Sequence, residues 1–124
     1  MTDRSKQLDQ LLEIAEAIRD RDLAILKSKE ALRRDLEKKQ VKLANMAQSE
    51  FLATVSDTAY RKNFEFPRQI WRNQKIQTYR QREIAIAAEI ETHKTLLTKS
   101  YGRAEVLSKL RADAAAEKRR KLAG

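Results

Sequence analysis

A chain of 124 residues with 27 Lys and Arg against 18 Asp and Glu carries a formal net charge of +9. It has no Cys, which excludes a disulfide framework and thiolate metal sites. Two Gly and one Pro are too few turn residues for a β-sandwich or an α/β fold.

The N-terminal run MTDRSKQLDQ lacks the apolar core of a signal peptide, and no apolar stretch approaches the ~18 residues of a membrane span. A cytoplasmic protein is expected, with at most peripheral membrane association. Charged residues reach 36% and aromatics 6%, but Leu, Ala, Glu, Lys, Arg and Gln are helix formers. The apolar residues are also periodic, which disordered tracts need not be.

In the first half, steps of seven from Leu11 give Leu11, Ile18, Ile25, Leu32, Lys39, Met46, Ala53 and Tyr60, apolar at seven of eight positions. A companion row from Leu8 passes through Ala15, Asp22, Lys29, Leu36, Leu43, Glu50 and Asp57, apolar at four of eight. The spacing predicts a heptad seam with one strong and one weak row. Leu12, Ile14, Leu23 and Leu26 widen the stripe beyond what one neighbouring helix covers, which points to a partner protein on the remainder.

The break falls at Asn63-Phe64-Glu65-Phe66-Pro67. Pro67 disrupts an uninterrupted helix but suits the start of a new one. Helix one is placed at about 3–62, the turn at about 63–66 and helix two at about 67–120. The second helix repeats the pattern, with Ile76, Glu83, Ile90, Leu97, Ala104 and Arg111 on one row and Ile86, His93, Ser100, Leu107 and Ala114 on the other. A mid-helix Gly102 marks a candidate break. The fold expected is all-α, a single long two-helix antiparallel coiled-coil hairpin about 90 Å long, with self-association left open.

Ordinary enzyme chemistry finds no support. His93 is the only His and has no Cys or second His beside it for a zinc site, and Glu89 four residues earlier suits a surface pair. There is no Gly-rich phosphate loop. Glu30 with Arg34, Asp35 with Lys39 and Glu117 with Lys121 have the order that stabilises a solvated helix face. No catalytic, cofactor-binding or metal-binding residue is assigned.

Residues 1–62 hold 13 basic and 11 acidic groups, and residues 63–124 hold 14 and 7. No acid occurs between Phe66 and Arg82, where Arg68, Arg72, Lys75, Arg80 and Arg82 are joined by Phe66, Trp71 and Tyr79. Three readings of this tip remain open. The aromatics hold the turn together, or the tip docks a protein through Phe64, Phe66 and Trp71, or the five cations bind a polyanion such as nucleic acid. The terminal Lys118-Arg119-Arg120-Lys121 suits a helix C-terminus.

The opening Leu8 to Ile25 with its Ile18-Arg19-Asp20-Arg21-Asp22, the Glu30-Ala31-Leu32-Arg33 segment, the mid-chain break and the Arg/Gln-rich stretch from Arg68 to Arg82 together resemble the FliJ/YscO family of bacterial flagellar and type III export proteins. That resemblance implies a non-enzymatic coiled-coil stalk or adaptor. The paired chain ends would enter an export ATPase hexamer and promote its assembly, coupling it to the export gate, with export chaperones as further partners. Leu8, Leu11, Ile18 and Leu107 are the candidate contacts near those ends. A basic nucleic-acid-binding coiled coil and a purely structural dimerisation rod are the alternatives.

Overall fold

The computed structural model describes residues 2–54 and 66–124, with side chains from 4–49 and 67–124. Two α-helices account for them, α1 at Thr2–Thr54 and α2 at Phe66–Ala123. They pack against each other as an all-α helical hairpin. The expected end of helix one at 62 and residues 63–65 of the expected 63–66 turn lie outside the described residues, and Phe66, expected in the turn, already belongs to α2.

Pro67 sits in the first turn of α2, where its missing N–H deprives no carbonyl of a helical partner. At the other end Arg120 and Lys121 occupy the last turn, favourable against the helix dipole. The Gly124 N–H closes that turn onto the Arg120 carbonyl at 3.0 Å. The Asp35–Lys39 and Glu117–Lys121 pairs form at 3.1 and 3.6 Å. Glu30 and Arg34 are not joined as an ion pair. Thr78, Thr95 and Thr98 turn their hydroxyls back to the carbonyls four residues earlier, which satisfies the hydroxyls within the helix at a slight cost to its stability. α2 continues through Gly102 with helical backbone and no positive φ, so the break considered there does not occur.

The chain divides into two compact units, one of Met1–Ser28 with Glu91–Gly124, the other of Lys29–Ile90. In the first, Arg111 Nε meets Asp9 Oδ1 at 2.7 Å and the Ser100 hydroxyl donates to Asp22 Oδ2 at 2.5 Å. In the second, Lys29 Nζ meets Glu89 Oε2 at 2.8 Å and Gln40 Nε2 donates to Glu83 Oε2 at 2.7 Å. Within each unit, α2 numbers fall as α1 numbers rise, so the pairing is antiparallel.

Burial fixes the register. On α2 both expected rows are the packed ones except at Arg111, which is exposed and pairs with Asp9. Ile90, Ser100 and Ala104 are buried, and Ile76, Glu83, Ile86, His93, Leu97, Leu107 and Ala114 are half-buried. On α1 the expectation is half corrected. The weak row of Leu8, Ala15, Asp22, Lys29, Leu36 and Leu43 is buried or half-buried throughout. Its companion is the row Leu12, Arg19, Leu26, Arg33, Gln40 and Ala47, one residue after the strong apolar row. Leu12 and Leu26 are buried and Arg33 is exposed, whereas in the strong row Ile18 and Ile25 are half-buried and Leu11, Leu32 and Met46 are exposed. The strong row therefore flanks the seam.

The core is thin. Among the described residues only Leu12, Leu26, Leu36, Ile90 and Ala104 are buried apolar side chains. Each fully buried Leu or Ile contributes about 1.5–3 kcal/mol. Thirteen large apolar side chains among the described residues are exposed.

Candidate docking surface

The strong row, partly exposed, has its most developed surroundings in the unit of Met1–Ser28 with Glu91–Gly124. A groove there is lined on α1 by Leu11, Ile14 and Ile18 and on α2 by Val106 and Leu107, with Lys99, Gly102 and Arg103 beside them. Leu11 is 50% exposed, and Ile14 and Val106 are each 57% exposed. The seven-residue spacing of Leu11 and Ile18 stacks them along one line of α1, and the antiparallel pairing sets Val106 and Leu107 across from them. No acidic residue lines this groove.

Three of the four residues expected near the chain ends, Leu11, Ile18 and Leu107, meet in this groove. Leu8 does not line it and is half-buried on the seam. Val106 and Lys99 were not legible as members. Each gains its place from the partner helix, and no spacing within α2 singles it out.

A polar station lies on the seam of the same unit. Asp22 is buried at 7% exposure and Ser100 at 4%. The Ser100 hydroxyl holds the Asp22 carboxyl below the usual carboxylate range, with Arg21 helping and burial opposing. His93 contributes a smaller attraction to the same carboxylate. His93 Nδ1 is buried without a hydrogen-bond partner. Glu89, four residues before His93, reaches across to Lys29 at 2.8 Å.

The tip residues are only partly accounted for. Phe64 lies outside the described residues. Phe66 is the first residue of α2, and its side chain is outside those described. Trp71 is 52% exposed. Arg68, Lys75 and Arg82, seven apart on α2, are exposed and share one line. Arg80 is exposed but off that line. Arg72 is the exception among the five cations: it is buried at 4% exposure on the α2 seam, so a surface role for it is withdrawn. A second shallow groove runs along α1 in the unit Lys29–Ile90, with Val41 and Met46 among Arg34, Lys38 and Lys42.

No group of three or more His, Cys, Asp or Glu residues among the described ones is arranged to hold a metal ion. No helix among the described residues is long and apolar enough to cross a membrane. Compared with protein-family models, curated proteins and solved structures, the chain matches none.

Proposed function

We propose that this chain acts by binding other proteins, as a non-enzymatic stalk or adaptor of a bacterial flagellar or type III export ATPase complex. The observation that supports a docking role is the apolar row of Leu11 and Ile18 left beside the seam, where it opens into a groove with Val106 and Leu107. Exposed apolar surface of this kind costs free energy until a partner covers it. The export-ATPase identity rests on the sequence resemblance alone. Under this reading the groove is where an ATPase subunit or an export-gate segment binds.

ATP hydrolysis by the cognate export ATPase, with and without the chain, tests the proposal. The expected result is faster hydrolysis and more hexamer with the native chain, and loss of both with Leu11→Asp/Ile18→Asp. Unchanged activity and assembly, with no co-purification, would remove it.

One observation keeps a second reading in view. The line of Arg68, Lys75 and Arg82 suits a polyanion such as nucleic acid. Binding to random-sequence DNA that weakens steeply with salt and survives Leu11→Asp/Ile18→Asp would favour it.

A further inference from the structure

In the unit Met1–Ser28 with Glu91–Gly124 the register of the helices places cations and no acid around the groove. On the side that carries the groove, the positions flanking the seam between 10 and 28 and between 92 and 110 hold Arg21, Lys99, Arg103 and Lys109 and no acid. Over the same span the opposite side is mixed, with Glu13, Glu16, Asp20 and Glu105 beside Lys27 and Lys94. Arg21 pairs with Asp22 and Lys109 with Glu105. Lys99 and Arg103, which line the groove itself, make no ion pair among the described residues. The apolar opening is thus bordered by two cations without counter-charge.

Gly102 supplies an independent observation in the same lining. A Cβ built on it meets nothing within 4 Å, and its φ is not positive. Neither backbone conformation nor packing within the chain requires glycine there. A mid-helix Gly nevertheless costs about 1 kcal/mol relative to Ala. What the missing side chain provides is open space at the groove, where another backbone can approach closely.

We propose that this groove binds an amphipathic α-helix of another protein, its apolar side against Leu11, Ile14, Ile18 and Val106 and its flanking Glu or Asp residues against Lys99 and Arg103. A second copy of this chain is the poorer occupant, because pairing the two grooves would bring their cations together. An anionic bilayer is also poorer, because the apolar residues line a concave slot between two helices, whereas interfacial helices bury a convex face. A third helix laid in the slot buries its own stripe at the spacing helix-in-groove partners use. This occupant rests on the docking role proposed above. ATPase stimulation without peptide binding would keep that role and reject this occupant.

Titration calorimetry and sedimentation of the full chain with two synthetic helices of about three heptads tests this. Both peptides carry Leu on one face, flanked by Glu in one and by Lys in the other. The expected result is binding of the Glu peptide at least tenfold tighter than the Lys peptide. Gly102→Leu should weaken it at least tenfold with helicity undiminished. Lys99→Glu/Arg103→Glu should reverse the preference between the two peptides. Absence of Glu-peptide binding, equal binding of both peptides, or an unreversed preference in the charge-swapped variant overturns the proposal. So does a self-dimer that Gly102→Leu dissociates, or phosphatidylserine vesicles displacing the Glu peptide from the native chain but not binding Gly102→Leu.

Discussion

The Ser100 hydroxyl donates a hydrogen bond to the Asp22 carboxylate from the facing helix, and both residues lie on the buried rows where the heptad pattern calls for apolar side chains. The Leu96 carbonyl, 3.1 Å from the Ser100 hydroxyl oxygen, is a competing acceptor for its single proton. A buried polar pair of this kind adds little net stability over apolar replacements but penalises alternative pairings, which would strand a carboxylate in the seam.

Asp22 gives stability a defined acid limb. Its carboxyl is held below the ordinary value of 3.8, so the folded state favours the ionised form more than the unfolded chain does. The contribution is present above the unfolded value and is lost as pH falls through the lowered folded value. Ser100→Ala removes the leading cause of the shift. The Tm difference between native chain and Ser100→Ala, followed by circular dichroism, should be largest near neutral pH and shrink below about pH 4. Arg21 from the same helix and His93 from the facing one also act on this carboxylate, so Ser100→Ala should reduce the limb without abolishing it.

Replacing both members should separate stability from specificity. Asp22→Leu/Ser100→Ala is expected to unfold no earlier than the native chain, while Ser100→Ala alone unfolds earlier. Thermal unfolding of the three proteins checks the order, and sedimentation of the double variant should reveal added oligomers.

Burial on α2 predicts where truncation matters. Ile90 is 2% exposed and Ile84 67% exposed. Ile90→Ala should cost about 2–5 kcal/mol, and Ile84→Ala should stay within about 0.5 kcal/mol. Urea unfolding of the two variants makes the comparison on one helix with one chemistry.

The heptad rows of α2 were legible because apolar residues mark them at Ile76, Ile86, Ile90, Leu97 and Leu107. On α1 the same method selected a row one residue off. The true companion row carries Arg19, Arg33 and Gln40, which read as surface residues in isolation. Across the interface each has a partner: Arg19 stacks 5.5 Å from the Tyr101 ring centre, Arg33 lies 3.9 Å from Glu83, and Gln40 donates to Glu83. Arg side chains also lay their stems over the seam and keep their heads in water. Such pairings belong to two helices at once and leave no mark in the periodicity of either. The apolar row at Leu11, Ile18, Ile25 and Leu32 was visible. That it flanks the seam followed only from the register.

Gly102→Ala should raise stability by about 1 kcal/mol, since its added methyl group meets no neighbour. Thermal unfolding measures it directly, and a lower Tm would mean that packing within the chain requires glycine there.

Cross-helix ion pairs should contribute little. Lys29 and Glu89 close to 2.8 Å, but the Glu89 side chain is 55% exposed. A double-mutant cycle on this pair should give about 0.2–1 kcal/mol, falling with added salt.

The register of α1 is the claim on which the groove depends, and adjacent leucines expose it to one comparison. Leu12 is 6% exposed and Leu11 50% exposed. Thermal unfolding of Leu11→Asp and Leu12→Asp by circular dichroism should show Leu11→Asp close to the native chain and Leu12→Asp losing most of its helical transition, because only the second puts an unpaired charge into the seam. Leu11→Asp unfolding the chain while Leu12→Asp leaves it intact would contradict the register and remove the groove with it.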